Sequence, residues 1–145
     1  MSFDERESRR RPELVIALVG AAGTDLEAVA KKFGRALSPM RYRTEEIRLS
    51  ALLHEVSCFG SLRGIRDEAD RISEHQKAGN RLRELTKRGE AVALLAVAAM
   101  RRVRKQKNSL LNRDHNRPLD GVAFIVRSLK TRAEVDALRQ IYGDS

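Results

Sequence analysis

Cysteine is almost missing from this chain. Cys58 is the only one in 145 residues, so no internal disulfide can form and the multi-cysteine zinc motifs cannot be assembled. A single thiol also fits a reducing compartment. Tryptophan is absent, aromatics make up 4% of the residues, and none is interleaved with the arginine clusters at 9–11 and 101–107, so an aromatic stacking platform for single-stranded nucleic acid finds no support. No apolar run approaches the roughly 20 residues that span a bilayer. The longest, Ala91–Met100, is alanine-rich and short. The opening MSFDERESRRRPE has no apolar segment, which argues against a secretory signal. These absences lead us to expect a cytoplasmic protein with no membrane partner.

Charge is abundant. Lys and Arg number 29 against 20 Asp and Glu, a net +9 that raises the expectation of a polyanionic partner. The positives gather at Arg9–Arg11 and along Arg101–Lys107, with Arg113 and Arg117 just beyond. One reading is a surface for phosphates of a nucleotide or nucleic acid. The other is a solvated tail plus the cationic last turn of a helix, which the macrodipole favours. The second is the expectation here, because such C-terminal clusters are ordinary.

Residues 1–12 are polar, arginine-rich and closed by Pro12, and read as a disordered basic arm. Leu14–Val19 is a short continuous apolar run, as in a strand covered on both faces. From Thr24 the pattern becomes helical, with Leu26, Val29, Ala30, Phe33 and Leu37 at steps of three and four before Ser38-Pro39; Thr24 or Asp25 would cap it. Arg41–Leu49 reads as a second strand, Ala51–Val56 as a short helix capped by Ser50, and Ser57–Gly64 as a loop. Arg66–Arg88 reads as a long polar helix with a bend expected at Gly79, and Gly89 stops it. Glu90–Lys107 reads as a helix with a buried first half and an exposed cationic second half. Gln106–Asp120 reads as loop, and Val122–Val126 as a third strand. Thr131 and Glu134 match a capping box opening a last helix, with Val135, Leu138 and Ile141 as its inner face. This order predicts an α/β domain, a parallel sheet flanked by helices, incomplete at its C-terminal edge where a further strand would add.

The stretch ELVIALVGAAGTDLEAVA, residues 13–30, carries the chemistry. A buried strand breaks at Gly20, turns through Gly23 and runs into a helix N-terminus. Backbone N–H groups of Gly20, Ala21, Ala22, Gly23, Thr24 and Asp25 are placed to cradle an anion. A phosphate loop reads G-x-x-x-x-G-K-[ST], its lysine reaching the β/γ-phosphates and its hydroxyl holding Mg²⁺. Counted from Gly20, the lysine position is Leu26 and the hydroxyl position Glu27. A nucleotide-phosphate site is therefore expected without the groups of phosphoryl transfer, so no catalytic residue is assigned. Arg127 closes the third strand, on the ligand side of an open parallel sheet, and is a candidate phosphate contact. No Walker-B aspartate stands there. Asn80, Arg81 and Arg83 share a helical segment, with a solvated face expected. His54, His75 and His115 lack metal-ligand spacing and are read as structural or surface residues; no zinc and no metal-ligating residue is expected, and Mg²⁺ beside a bound nucleotide is left open.

Taken with EEIRLSALL, AGNRLRELTKRGEAVALLAVAAMRRVR and AFIVRSLKTRAEVDALRQIYGDS, this loop resembles the N-terminal half of anti-phage dCTP/dCMP deaminases. In those antiviral defence proteins a P-loop, nucleoside-monophosphate-kinase-like domain precedes a zinc deaminase domain. The resemblance covers residues 13–145. It implies a P-loop-kinase-like fold and a nucleotide-binding, regulatory role for Gly20, Gly23, Thr24 and Asp25, with Arg127 beside them. It implies as partners a nucleotide and a deaminase domain or subunit, with a homo-oligomer open. The H-x-E and P-C-x-x-C zinc site of the deaminase half is absent, so deamination is not assigned here. Two alternatives stand beside this expectation: an atypical small nucleotide kinase, and a basic module binding nucleic acid or an acidic partner through Arg101–Arg117.

Overall fold

The computed structural model describes residues 10–143. The expected arm falls mostly outside them, though Arg11 and Pro12 are tied down. Arg11 N–H donates to Asp120 Oδ1 at 2.7 Å, and Pro12 C=O accepts from the Tyr42 hydroxyl at 3.0 Å.

The apolar run forms β1 over Leu14–Val19 and the periodic segment forms helix α1 over Leu26–Leu37. Of the two capping candidates Asp25 takes the role, its carboxylate accepting from Ala28 N–H at 2.9 Å. Strand β2 spans Arg43–Arg48, and the short helix α2, Leu49–Leu52, follows without a break. It starts before Ser50 because Leu49, 1% exposed, is drawn into the core. The second half of the helix expected over Ala51–Val56 tightens into a 3-10 turn at Leu53–Glu55, and the segment expected to be loop winds into 3-10 turns at Ser57–Gly64. Helix α3, Glu68–Thr86, is capped by Asp67 and runs uninterrupted through Gly79. That glycine lies under the Arg83 side chain, where an added Cβ would meet Nη1 at 3.4 Å. Helix α4 covers Ala91–Leu110, β3 Val122–Leu129, and α5 Arg132–Tyr142 with the capping box in place.

The sheet order is β1-β3-β2, all parallel, so the last strand is the central one. Side chains alternate across a strand, which divides the core in two. On one face Val15, Ile47, Phe124 and Val126 pack under α4 and α5. Alanines 93 and 96 of α4 are wholly buried there, and their small side chains bring the helix close to the sheet. On the other face Ile16, Leu18 and Ile125 pack under Leu26 and Ala30 of α1. The outer edge of β1 has no strand partner among the described residues, and Val19 is 58% exposed. In α5 the inner face is Leu138 with Val135, while Ile141 points outward at 48% exposure, contrary to the periodic reading.

Two buried acids tie the layers together. Glu134 is fully buried and accepts from Arg83 of α3, from Lys130 N–H at 2.8 Å and from Thr131 N–H at 3.1 Å. Glu13 accepts from Arg104 and from Leu119 N–H at 2.7 Å, while the Arg104 guanidinium lies 5.6 Å from the Tyr142 ring centre. Asn108, at 1% exposure, donates to Arg117 C=O at 2.8 Å and holds down the turn after α4.

Candidate functional site

All three strands end on one side of the molecule, where an open parallel sheet takes its ligands. A cleft of about 690 Å³ lies there. The turn after β1 contributes Ala21, Ala22, Gly23, Thr24 and Asp25, and the end of β3 contributes Arg127, Ser128 and Lys130. Arg48 and Ser50 enter from the end of β2, and α3 forms a wall with Arg71, His75, Asn80 and Arg83. The loop and Arg127 thus meet in one cleft. Gly20 borders it and offers its carbonyl to Lys130 Nζ at 3.3 Å. Gly23 adopts φ +87, the left-handed conformation that glycine tolerates best.

Carboxylates decide which cations are spent. Arg127 pairs with Glu46 of β2 and with Glu27 at 3.7 Å, so the arginine expected to contact phosphate is already neutralised by the protein. Arg83 belongs to Glu134 and Arg71 to Glu68 at 3.1 Å. Among the described residues Arg48 and Lys130 have no carboxylate within ion-pairing distance; Arg48 Nε donates to Ser50 Oγ at 2.9 Å instead. Burial lowers the pKa of the Arg48 guanidinium, and the like charges of Arg127 and Arg71 lower it further. An anion in the cleft would relieve that repulsion.

The helix N-terminus is less open than its sequence suggests. Asp25 occupies the Ala28 amide, and Glu27 follows it in the first turn. Hydrogen bonding to Lys31, with the charges of Lys31 and Arg127, holds the Glu27 carboxyl below its ordinary pKa, so it stays ionised. The donors that the cleft leaves unpaired by carboxylates are therefore its side-chain cations and the turn's amides other than that of Thr24, which donates to Ala21 C=O at 3.1 Å.

Asn80 and Arg83, read as part of a solvated face, line the cleft, whereas Arg81 turns away and pairs with Glu84 at 3.6 Å. His75 was expected to be structural, and it stands at the cleft with its Nε2 2.5 Å from His54 Nε2. Its Nδ1 lies 2.6 Å from Arg71 C=O, to which it donates. No group of three or more metal-ligating side chains occurs among the described residues. Sequence reasoning missed Arg48 and Arg71 altogether. The basic run on α4 is largely consumed by internal pairs: Arg102 with Glu55 at 2.8 Å, Arg104 with Glu13, and Lys107 with Glu45. No helix is long and apolar enough to cross a membrane among the described residues. Comparison with known protein families, with characterised proteins and with solved structures finds no match to this chain.

Proposed function

We propose that this cleft binds a nucleotide through its phosphates and does not transfer them. One observation carries the reading: Arg48 and Lys130, the cleft's two cations without a carboxylate, converge on it from the ends of different strands. The turns after β1 and β2 are separated by two strand spacings, about 10 Å, with β3 between them. A cleft of about 690 Å³ is within the usual range for small-molecule sites. Transfer is left out because Leu26 and Glu27 stand where the loop motif needs a lysine and a hydroxyl. The sequence resemblance adds a context: a P-loop-like regulatory module acting beside a deoxycytidine-nucleotide deaminase.

Isothermal titration with the ribo- and deoxyribonucleotides, each with and without Mg²⁺, tests the proposal. Binding is expected for at least one nucleotide, and Arg48→Ala should weaken it about tenfold or more, the loss of one charge-assisted hydrogen bond. Failure of every nucleotide to bind at millimolar concentration would sink it. The alternative of a nucleic-acid surface along Arg101–Arg117 is weaker for the pairing of Arg102, Arg104 and Lys107 with Glu55, Glu13 and Glu45, and it would show instead as affinity for nucleic acid that falls steeply with salt.

A further inference from the structure

The position that carries the lysine in a phosphate loop is filled here by a core residue. Leu26 is 8% exposed and packs with Leu18, Ala30 and Ile125 between the sheet and α1. It is wedged so tightly beneath the turn that a Cβ on Gly20 would meet its Cδ2 at 3.0 Å. A cation cannot occupy this place without being buried in apolar surroundings.

Lys130 approaches the same turn from a different strand. Along β1 and β3 the register runs Leu18 with Arg127 and then Val19 with Leu129, so Ser128 is an extra residue in β3. Its φ of 75 is left-handed. Were Ser128 a regular strand residue instead of a bulge, the alternation would send Leu129 toward the cleft and Lys130 to the opposite face. With it, Leu129 returns to the core at 0% exposure and Lys130 falls on the side of Arg127. The Lys130 backbone is clamped by its N–H bond to the buried Glu134 carboxylate at 2.8 Å. Its side chain spans to the Gly20 carbonyl, and the ammonium retains two of its three hydrogens for a ligand.

Resting on the nucleotide reading above, we infer that Lys130 is the displaced counterpart of the absent loop lysine. It neutralises the outer phosphates of a polyphosphate chain lying along the 20–25 turn. The ligand class is accordingly a nucleoside di- or triphosphate rather than a monophosphate.

The test titrates wild-type protein and the variants Lys130→Met, Lys130→Arg and Lys105→Met with inorganic tripolyphosphate, the four deoxynucleoside triphosphates and the corresponding monophosphates. Lys105 is an exposed lysine of α4 outside the cleft and serves as the charge control. Lys130→Met keeps the aliphatic stem and removes one bond to a carbonyl, and its melting temperature reports that the fold is intact. For every polyphosphate that wild type binds, Lys130→Met should weaken affinity about ten- to a hundredfold. Lys130→Arg should recover most of the loss, and Lys105→Met should match wild type. Monophosphates should bind more weakly than triphosphates to wild type and be little affected by Lys130→Met. Unchanged polyphosphate affinity in Lys130→Met, or monophosphates binding as tightly as triphosphates, overturns this inference and leaves nucleotide binding standing. A wild-type protein that binds none of the probes overturns both.

Discussion

Removal of the Glu134 carboxylate offers the sharpest test of how the cleft is held together. Glu134 is fully buried, and the side chain of Arg83, its partner across from α3, is 16% exposed. The same carboxylate accepts the N–H groups of Lys130 and Thr131 at 2.8 and 3.1 Å. Glu134→Ala strands a largely buried guanidinium and leaves both amides without their acceptor. Breaking a buried pair from one side costs about 3–5 kcal/mol, and the lost amide bonds place this variant toward the upper end. Arg83→Ala should cost less, about 2–3 kcal/mol, because the surviving carboxylate keeps its two amide donors. The double variant has no stranded charge and should lie within about 1 kcal/mol of Glu134→Ala alone, a coupling of about 2 kcal/mol. Urea denaturation followed by circular dichroism measures all three against wild type. Total stability of a domain this size is about 5–15 kcal/mol, so the worst variant keeps a shifted transition if wild type lies above the low end of that range. A Glu134→Ala cost below about 1 kcal/mol, or additivity within about 0.5 kcal/mol, would refute the reasoning.

Two further outcomes follow from the site. His54 has its pKa pushed below the ordinary imidazole value of 6.5, first by burial and then by His75, Arg63 and Arg48. The unfolded chain therefore takes up a proton that the folded one refuses, and stability should fall as pH drops from 6.5 toward the lowered folded value. Urea midpoints between pH 7.5 and 5.5 should show this slope, and Asn at position 54 should flatten it; an equal slope in both proteins contradicts the assignment. At Gly23, with φ +87 and no atom near an added Cβ, Val should cost about 1–2 kcal/mol from backbone strain alone and Asn appreciably less. Equal melting of wild type and Gly23→Val would show that the turn does not need its glycine.

The parts legible in the sequence were those set by neighbours in the chain. Leu14–Val19 reads as a strand because every residue in it is apolar, although at the sheet edge it leaves Ala17 and Val19 exposed instead of covered on both faces, and Thr131 with Glu134 reads as a cap because its reciprocal bonds span one turn. The end of β3 did not, since Arg127 and Ser128 interrupt the apolar run while the strand carries on to Leu129. Arg104 looked like part of a surface cluster because its partner, Glu13, lies 91 residues away. Arg48 and Lys130 stood among 29 cations, and only the folded chain shows which of these lack a carboxylate in the cleft. The single-residue insertion at Ser128 has no signature in composition or periodicity, yet it decides the face on which Lys130 stands.

The central place of β3 also has a consequence for how the protein is made. Both other strands pair only with β3, and Leu14 near the start of the described chain meets Ala123 near its end. No part of the sheet can form on the ribosome until β3 begins to emerge at Val122. Until then β1 and α1 have only each other, without Ile125 of β3 to complete their shared cluster and without any strand to pair the β1 backbone. Contacts this distant in sequence slow folding and prolong that exposure. The nascent chain must therefore keep β1 unpaired while the intervening helices are made, and the stretch Leu14–Val19 is a place where a chaperone, or aggregation, would engage it.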